Sequence, residues 1–251
     1  MAKQRVDTGR GRRHGVVTAR SNRGSMRPFY IALAFIAIIG TGALVWASQQ
    51  KKGPQAVALD PNAPPPKAEG YLLGKADAPV EIVEFADFEC PACGRFATIT
   101  EPDVRKRLVE SGQASLRFYD YPLPMHRNTW QASMAAACAN DQGKFWEMHD
   151  QIFQGQFDWN GEATRNPKPF FQDYAKRLGL DVGAWESCYD AQKHIDRIRG
   201  NEAEAVRRGV NQTPTFVIGG KAYAGALTFD EMRAIVDSVR QRGPTGGQPA
   251  R

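Results

Sequence analysis

Apolar positions are distributed in three different ways along the 251-residue chain. Phe29 to Ala47 (FYIALAFIAIIGTGALVWA) is apolar on every side and carries no charge. Residues 48–69 have few large apolar side chains but contain Pro54, Pro61 and the run Pro64-Pro65-Pro66. Residues 70–242 alternate apolar and polar positions at the periods of strands and helices. The first stretch has the ~20 residues that cross a ~30 Å hydrocarbon layer, and Tyr30 and Trp46 lie near its ends, where aromatic side chains favour the interface. It predicts a single transmembrane anchor over residues 28–47. A cleaved signal peptide is the alternative, but the run exceeds the usual ~7–15 apolar residues. The proline-rich stretch cannot bury a core and predicts an extended spacer. Residues 243–251 read as a flexible tail.

Within the third region, residues 79–88 (PVEIVEFADF) are β-branched and aromatic enough for a strand. Residues 92–110 read as a helix, kinked at Pro102, and residues 114–121 as a second strand. A mostly helical stretch follows from 128 to about 209. Residues 215–218 and 221–224 flank Gly219-Gly220 as a hairpin. Residues 228–242 place Met232, Ile235, Val236 and Val239 at helical spacing.

Charge adds topology rather than a ligand. The net charge is +6, yet residues 1–27 hold eight Lys/Arg against Asp7 alone, leaving −1 for the remainder. No nucleic-acid footprint follows from so nearly neutral a globular part. A basic tail at 1–27 before an apolar helix places the N-terminus in the cytoplasm and residues 48–251 outside. All four cysteines (Cys90, Cys93, Cys138, Cys188) then lie in an oxidising compartment.

The strand at 79–88 leads into Cys90-Pro91-Ala92-Cys93, with Pro91 suited to the first position of a helix. Gly74-Lys75-Ala76-Asp77-Ala78-Pro79, Asp87-Phe88-Glu89-Cys90-Pro91-Ala92-Cys93, Tyr121-Pro122-Leu123 with His126, residues 143–150 (GKFWEMHD) and residues 209–216 (GVNQTPTF) follow in that order. This set resembles the DsbA-like thioredoxin family over roughly residues 70–242. The resemblance implies an α/β thioredoxin fold with an inserted helical domain at about 126–210.

In such a site Cys90 is the attacking thiolate, favoured by the helix start, and Cys93 is the resolving thiol. A zinc site is disfavoured, because Cys138 and Cys188 are 50 positions apart and form no second close pair. The resemblance makes Glu84 a proton relay to Cys93; the alternative is a carboxylate reaching the surface. It makes Thr213-Pro214 a cis-proline loop facing the cysteines, and Cys138–Cys188 a structural disulfide within the insert, with a second redox relay as the alternative. Ala92 stands where the family's strongest oxidants often carry histidine, which predicts a milder oxidant. His149 reads as packing or surface, His194 as solvent-facing, and His126 has no assigned role; none is read as a metal ligand. No cofactor is expected.

The expected function is an oxidase on the outer side of a bacterial cytoplasmic membrane, donating its disulfide to reduced exported proteins. A DsbB-like or vitamin K epoxide reductase-like membrane partner would reoxidise it. A reductase or isomerase on the same scaffold, and a non-catalytic client-binding module, are the alternatives.

Overall fold

The computed structural model describes residues 27–49 and 66–242. The chain divides into two units, residues 1–53 and 54–251. In the first, helix α1 spans Arg27–Gln49, with side chains described for residues 29–42. Its apolar side chains are exposed, Ile36 and Ile39 by about two thirds. Among the described residues no helix is long and apolar enough to cross a membrane. Residues 29–42 account for about 21 Å of helix, less than a bilayer core. The basic tail, most of the spacer and the C-terminal tail lie outside the described residues.

The second unit is built on a five-stranded sheet with the order β1-β3-β2-β4-β5. Its strands are β1 Tyr71–Leu73, β2 Glu81–Ala86, β3 Ser115–Asp120, β4 Thr215–Ile218 and β5 Lys221–Ala224. β2 and β3 are parallel, and the remaining pairs are antiparallel. β2 is buried at every position after Glu81, which explains its nearly unbroken apolar sequence. Ile82, Phe216 and Ile218 face helix α2 (residues 91–109) and helix α9 (Phe229–Gln241). Val83 and Phe85 face the opposite way, onto Ala205 of helix α8 (Ile195–Arg207). At the hairpin, Gly219 and Gly220 both have positive φ, 55° and 77°, the backbone that a tight β4–β5 turn requires. Thr228 and Glu231 close a capping box that starts α9.

Helix α2 departs from expectation. Around Pro102 it alternates α-helical Pro91–Arg95 and Glu101–Val104 with π turns Phe96–Thr100 and Arg105–Val109. A proline ring clashes with the carbonyl four residues back, and a widened turn immediately before Pro102 makes room for it. β2 and β3 are shorter than expected at both ends, β4 and β5 have the expected bounds, and β1 was not anticipated. Lying at the edge of the sheet, β1 has only three residues, too few to display a period.

Between β3 and β4 the helical region resolves into α3 Thr129–Asn140, α4 Phe145–Gln154, α5 Gln156–Trp159, α6 Lys168–Arg177, α7 Val182–Asp190 and α8. α3 is buried almost all round by alanines 132, 135, 136, 137 and 139, so it runs through the middle of this layer. Trp159, Phe171 and Trp185 fill the space around it. Cys138 and Cys188 are joined as a disulfide, tying α3 to α7. The end of the spacer is docked rather than free: Asn201 Oδ1 accepts from Glu69 N at 2.9 Å. The carbonyls of Pro66 and Lys67 lie where a side chain at Gly200 would stand, so α8 needs glycine there.

Candidate active site

Cys90 occupies the N-cap of α2 with an extended backbone (φ −71°, ψ 122°), and Pro91 opens the helix without a wasted N–H. Both thiols are unpaired with other cysteines; Cys90 is 7% exposed and Cys93 fully buried. The Thr213-Pro214 bond is cis and brings the Thr213 carbonyl to 3.4 Å from Cys90 Sγ. The residues expected to form the centre are therefore together.

Their electrostatics differ sharply. The hydrogen bond from the Cys93 thiol, opposed by burial and reinforced by Thr213 and the N–H groups of Cys93 and Ala92, lowers the Cys90 pKa to about 5. The Thr213 hydroxyl is buried and has no other partner among the described residues. Cys93 shifts the opposite way, raised first by burial, then by its bond to Cys90 and by the negative charges of Cys90 and Glu84. Glu84, 1% exposed, is also raised, chiefly by burial and further by Glu101, with Arg105 opposing. Glu84 thus does not reach the surface. Two sulfurs pushed apart in this way divide into an anion that attacks and a thiol that keeps its proton.

Several groups that hold the cysteines in place were not anticipated. Gln156 Nε2, from α5, donates to the carbonyls of Phe88 (2.7 Å) and Cys90 (3.0 Å). Glu89 accepts from the N–H groups of Asn128 and Gly161, fixing the helical layer to the loop before Cys90. Asp87 accepts from Glu89 N and Leu123 N, both at 2.7 Å, and pairs with His126 Nδ1 at 2.8 Å. His126 thereby acquires a role. Its pKa is raised, first by the Asp87 hydrogen bond, and the charges of Glu89 and Cys90 add to this. The acidic residues flanking Phe88 in DFECPAC were the available signal, but apart from Glu89 N their partners lie 36 or more positions away.

One histidine expectation needs correction, and one is met. His194 is not solvent-facing; its Nε2 pairs with Asp141 at 3.0 Å. His149 is wholly buried among Phe88, Phe118 and Phe153, yet it also contacts ionised groups. Donor atoms of Cys138, Cys188 and His194 lie within 4.8 Å of one another, but both sulfurs are spent in the disulfide and offer no thiolate to a metal.

The thioredoxin family pattern matches residues 67–238. The chain belongs to the thioredoxin family. It is similar over 87% of its length to "Probable disulfide bond formation protein D" of Bacillus cereus, with 30% identity and 97% of that relative covered. The crystal structure of Wolbachia pipientis alpha-DsbA1 shares the fold (TM-score 0.62, 20% identity, 76% of this chain and 97% of that one). The "Na(+)/H(+) antiporter NhaA 3" of Salinispora tropica is 34% identical over 71% of this chain. This chain spans only 26% of that relative's length.

Proposed function

We propose that this protein is a membrane-anchored oxidase that passes the Cys90–Cys93 disulfide to reduced exported proteins on the outer side of a bacterial cytoplasmic membrane. The observation that carries the direction is the Cys90 pKa of about 5 beside a Cys93 pKa that burial raises. A stabilised thiolate stabilises the reduced form, and a dithiol easier to keep reduced makes its disulfide more oxidising.

A client thiolate attacks Cys90 Sγ; the Cys90–Cys93 bond breaks and Cys93 leaves with the electron pair. Glu84, protonated because it is buried, supplies a proton to the Cys93 sulfur. The client's second thiolate attacks its own sulfur in the mixed disulfide, and Cys90 departs as the anion. Two electrons have passed from client to protein, and one disulfide has replaced another. A DsbB-like or vitamin K epoxide reductase-like membrane partner would take those electrons away. The cis Thr213-Pro214 loop beside Cys90 offers backbone for an extended client strand.

Anchoring rests on α1. Its sequence is apolar from Phe29 to Ala47, its described apolar side chains are exposed, and eight basic residues precede or begin it. The ion transport named for the Salinispora relative is not part of this reading, since the matched residues are 26% of that protein.

Measuring the reduction potential tests the direction. A value well above the roughly −270 mV of thioredoxin supports an oxidase; a value at or below it would reverse the proposed electron flow and leave a reductase. Ala92 cannot supply the charge of a histidine, so the expected potential is below the roughly −120 mV of the strongest such oxidants.

A further inference from the structure

Glu84 can exchange a proton with Cys93 only once per cycle unless that proton has a way out. Glu84 is buried, and its register partners on either side are phenylalanines, Phe118 on β3 and Phe216 on β4. The ring of Phe216 packs on Phe96, which closes that side. On the other side the ring of Phe118 lies edge-on to His149, centroids 5.3 Å apart.

Beyond Phe118 lies a chain of ionisable groups leading outward. Arg105 on α2 donates to Glu101 Oε1 at 2.7 Å and to both carboxylate oxygens of Asp150 at 3.0 and 2.8 Å. His149 Nδ1 lies 2.9 Å from Asp150 Oδ1 and 3.2 Å from Arg105 Nη2. The carboxylate is the closer and takes the Nδ1 proton, which leaves Nε2 with a lone pair. That nitrogen faces Glu101 Oε2 at 3.7 Å, a gap that one bridging water or a small rotation of Glu101 closes. Glu84 Oε2, Glu101 Oε2 and His149 Nε2 are all buried without a hydrogen-bond partner among the described residues. Asp150 is the exit, with 38% of its side chain exposed.

We propose that Glu101, His149 and Asp150 form the outer half of a proton relay, carrying the Cys93 proton from Glu84 to solvent. The proton leaves Glu84 Oε2 for Glu101 Oε2, both buried without a fixed partner and with the Glu101 charge acting on Glu84. It then passes to His149 Nε2, and the Nδ1 proton leaves to Asp150 Oδ1 and then to water. The reverse order delivers a proton when Cys93 leaves as thiolate. Arg105 stays charged and holds both carboxylates in line. The groups facing His149 are Glu101 and Arg105 from α2 and Asp150 from its own helix; its other neighbours are aromatic. This inference rests on the Glu84 step proposed above.

The test mixes the reduced full chain with oxidised glutathione and quenches in acid, between about pH 5 and pH 9. Mass spectrometry follows two steps: glutathione adding to Cys90, and Cys93 expelling it. Only the second requires Cys93 to lose its proton. His149→Gln and the partly exposed Asp150→Asn should each slow the second step by about 10-fold near pH 7 and leave the first within about two-fold. The second step should also become proportional to hydroxide. A purely structural role would slow both steps together or neither, and either result overturns the relay. Glu84→Gln separates the readings: if it slows the second step while His149→Gln and Asp150→Asn do not, only the outer half falls. If Glu84→Gln has no effect, the Glu84 step falls as well.

Discussion

The two cysteine pairs of this protein are the same chemical group in opposite circumstances. Cys138 and Cys188 are bonded to each other between two helices of an apolar layer, beside Trp185 and the alanines of α3. Cys90 and Cys93 lie at the start of a helix, where N–H groups, a hydroxyl and a second thiol converge on one sulfur. The first pair acts as a cross-link. In the second, one sulfur is held anionic while its neighbour, fully buried and facing the charge of Glu84, keeps its proton. The hydrogen bond from a neighbouring thiol, helped by the N–H groups of the helix start, separates the reactive cysteine from the structural ones more than burial does.

Substitution can break this contrast, starting with its largest effect. Cys90→Ser should bring disulfide transfer to a reduced client down to background, a loss on the order of 10³-fold or more, measured by client refolding. Replacing Cys138 and Cys188 together by alanine should leave transfer per folded molecule intact. It should cost about 2–4 kcal/mol in denaturant unfolding, because the bridge spans a sequence separation of 50.

Glu84→Gln sharpens the comparison through pH. The folded pKa of Glu84 is raised above its unfolded value, so its contribution is fully present below the unfolded pKa and is lost as pH rises through the folded one. Stability of the native protein should therefore fall towards alkaline pH by more than that of Glu84→Gln, as thermal unfolding across pH would record. The smallest effect belongs to His126→Ala. Removing the imidazole paired with Asp87 should raise the Cys90 titration midpoint by about half a unit, read from alkylation rates.

What could be read in advance depended on how local each signal was. The β4–β5 hairpin and the start of α9 follow from Gly219-Gly220 and from Thr228 with Glu231, all within a few residues. Cys90 at the N-cap followed from a strand, a proline and a spacing of three. The π turns of α2 were hidden, because the sequence marks Pro102 but not how the helix absorbs it. The contacts of Glu101 and Arg105 with His149 and Asp150 were hidden for another reason: they join positions 44 to 48 apart. An aromatic setting made His149 look like core, and it is core; the carboxylates that also touch it arrive from a different helix. Glu89 and Gln156 were missed likewise, since each acts on backbone far along the chain.

The most direct measurement is the ionisation of Cys90 in the reduced protein, followed by thiolate absorbance or by alkylation rate against pH. A midpoint near 5, with Cys93 unreactive throughout that range, is the predicted result. A midpoint near the ~8.5 of a free cysteine would contradict it, and the distinction drawn between the two pairs would then have no electrostatic basis.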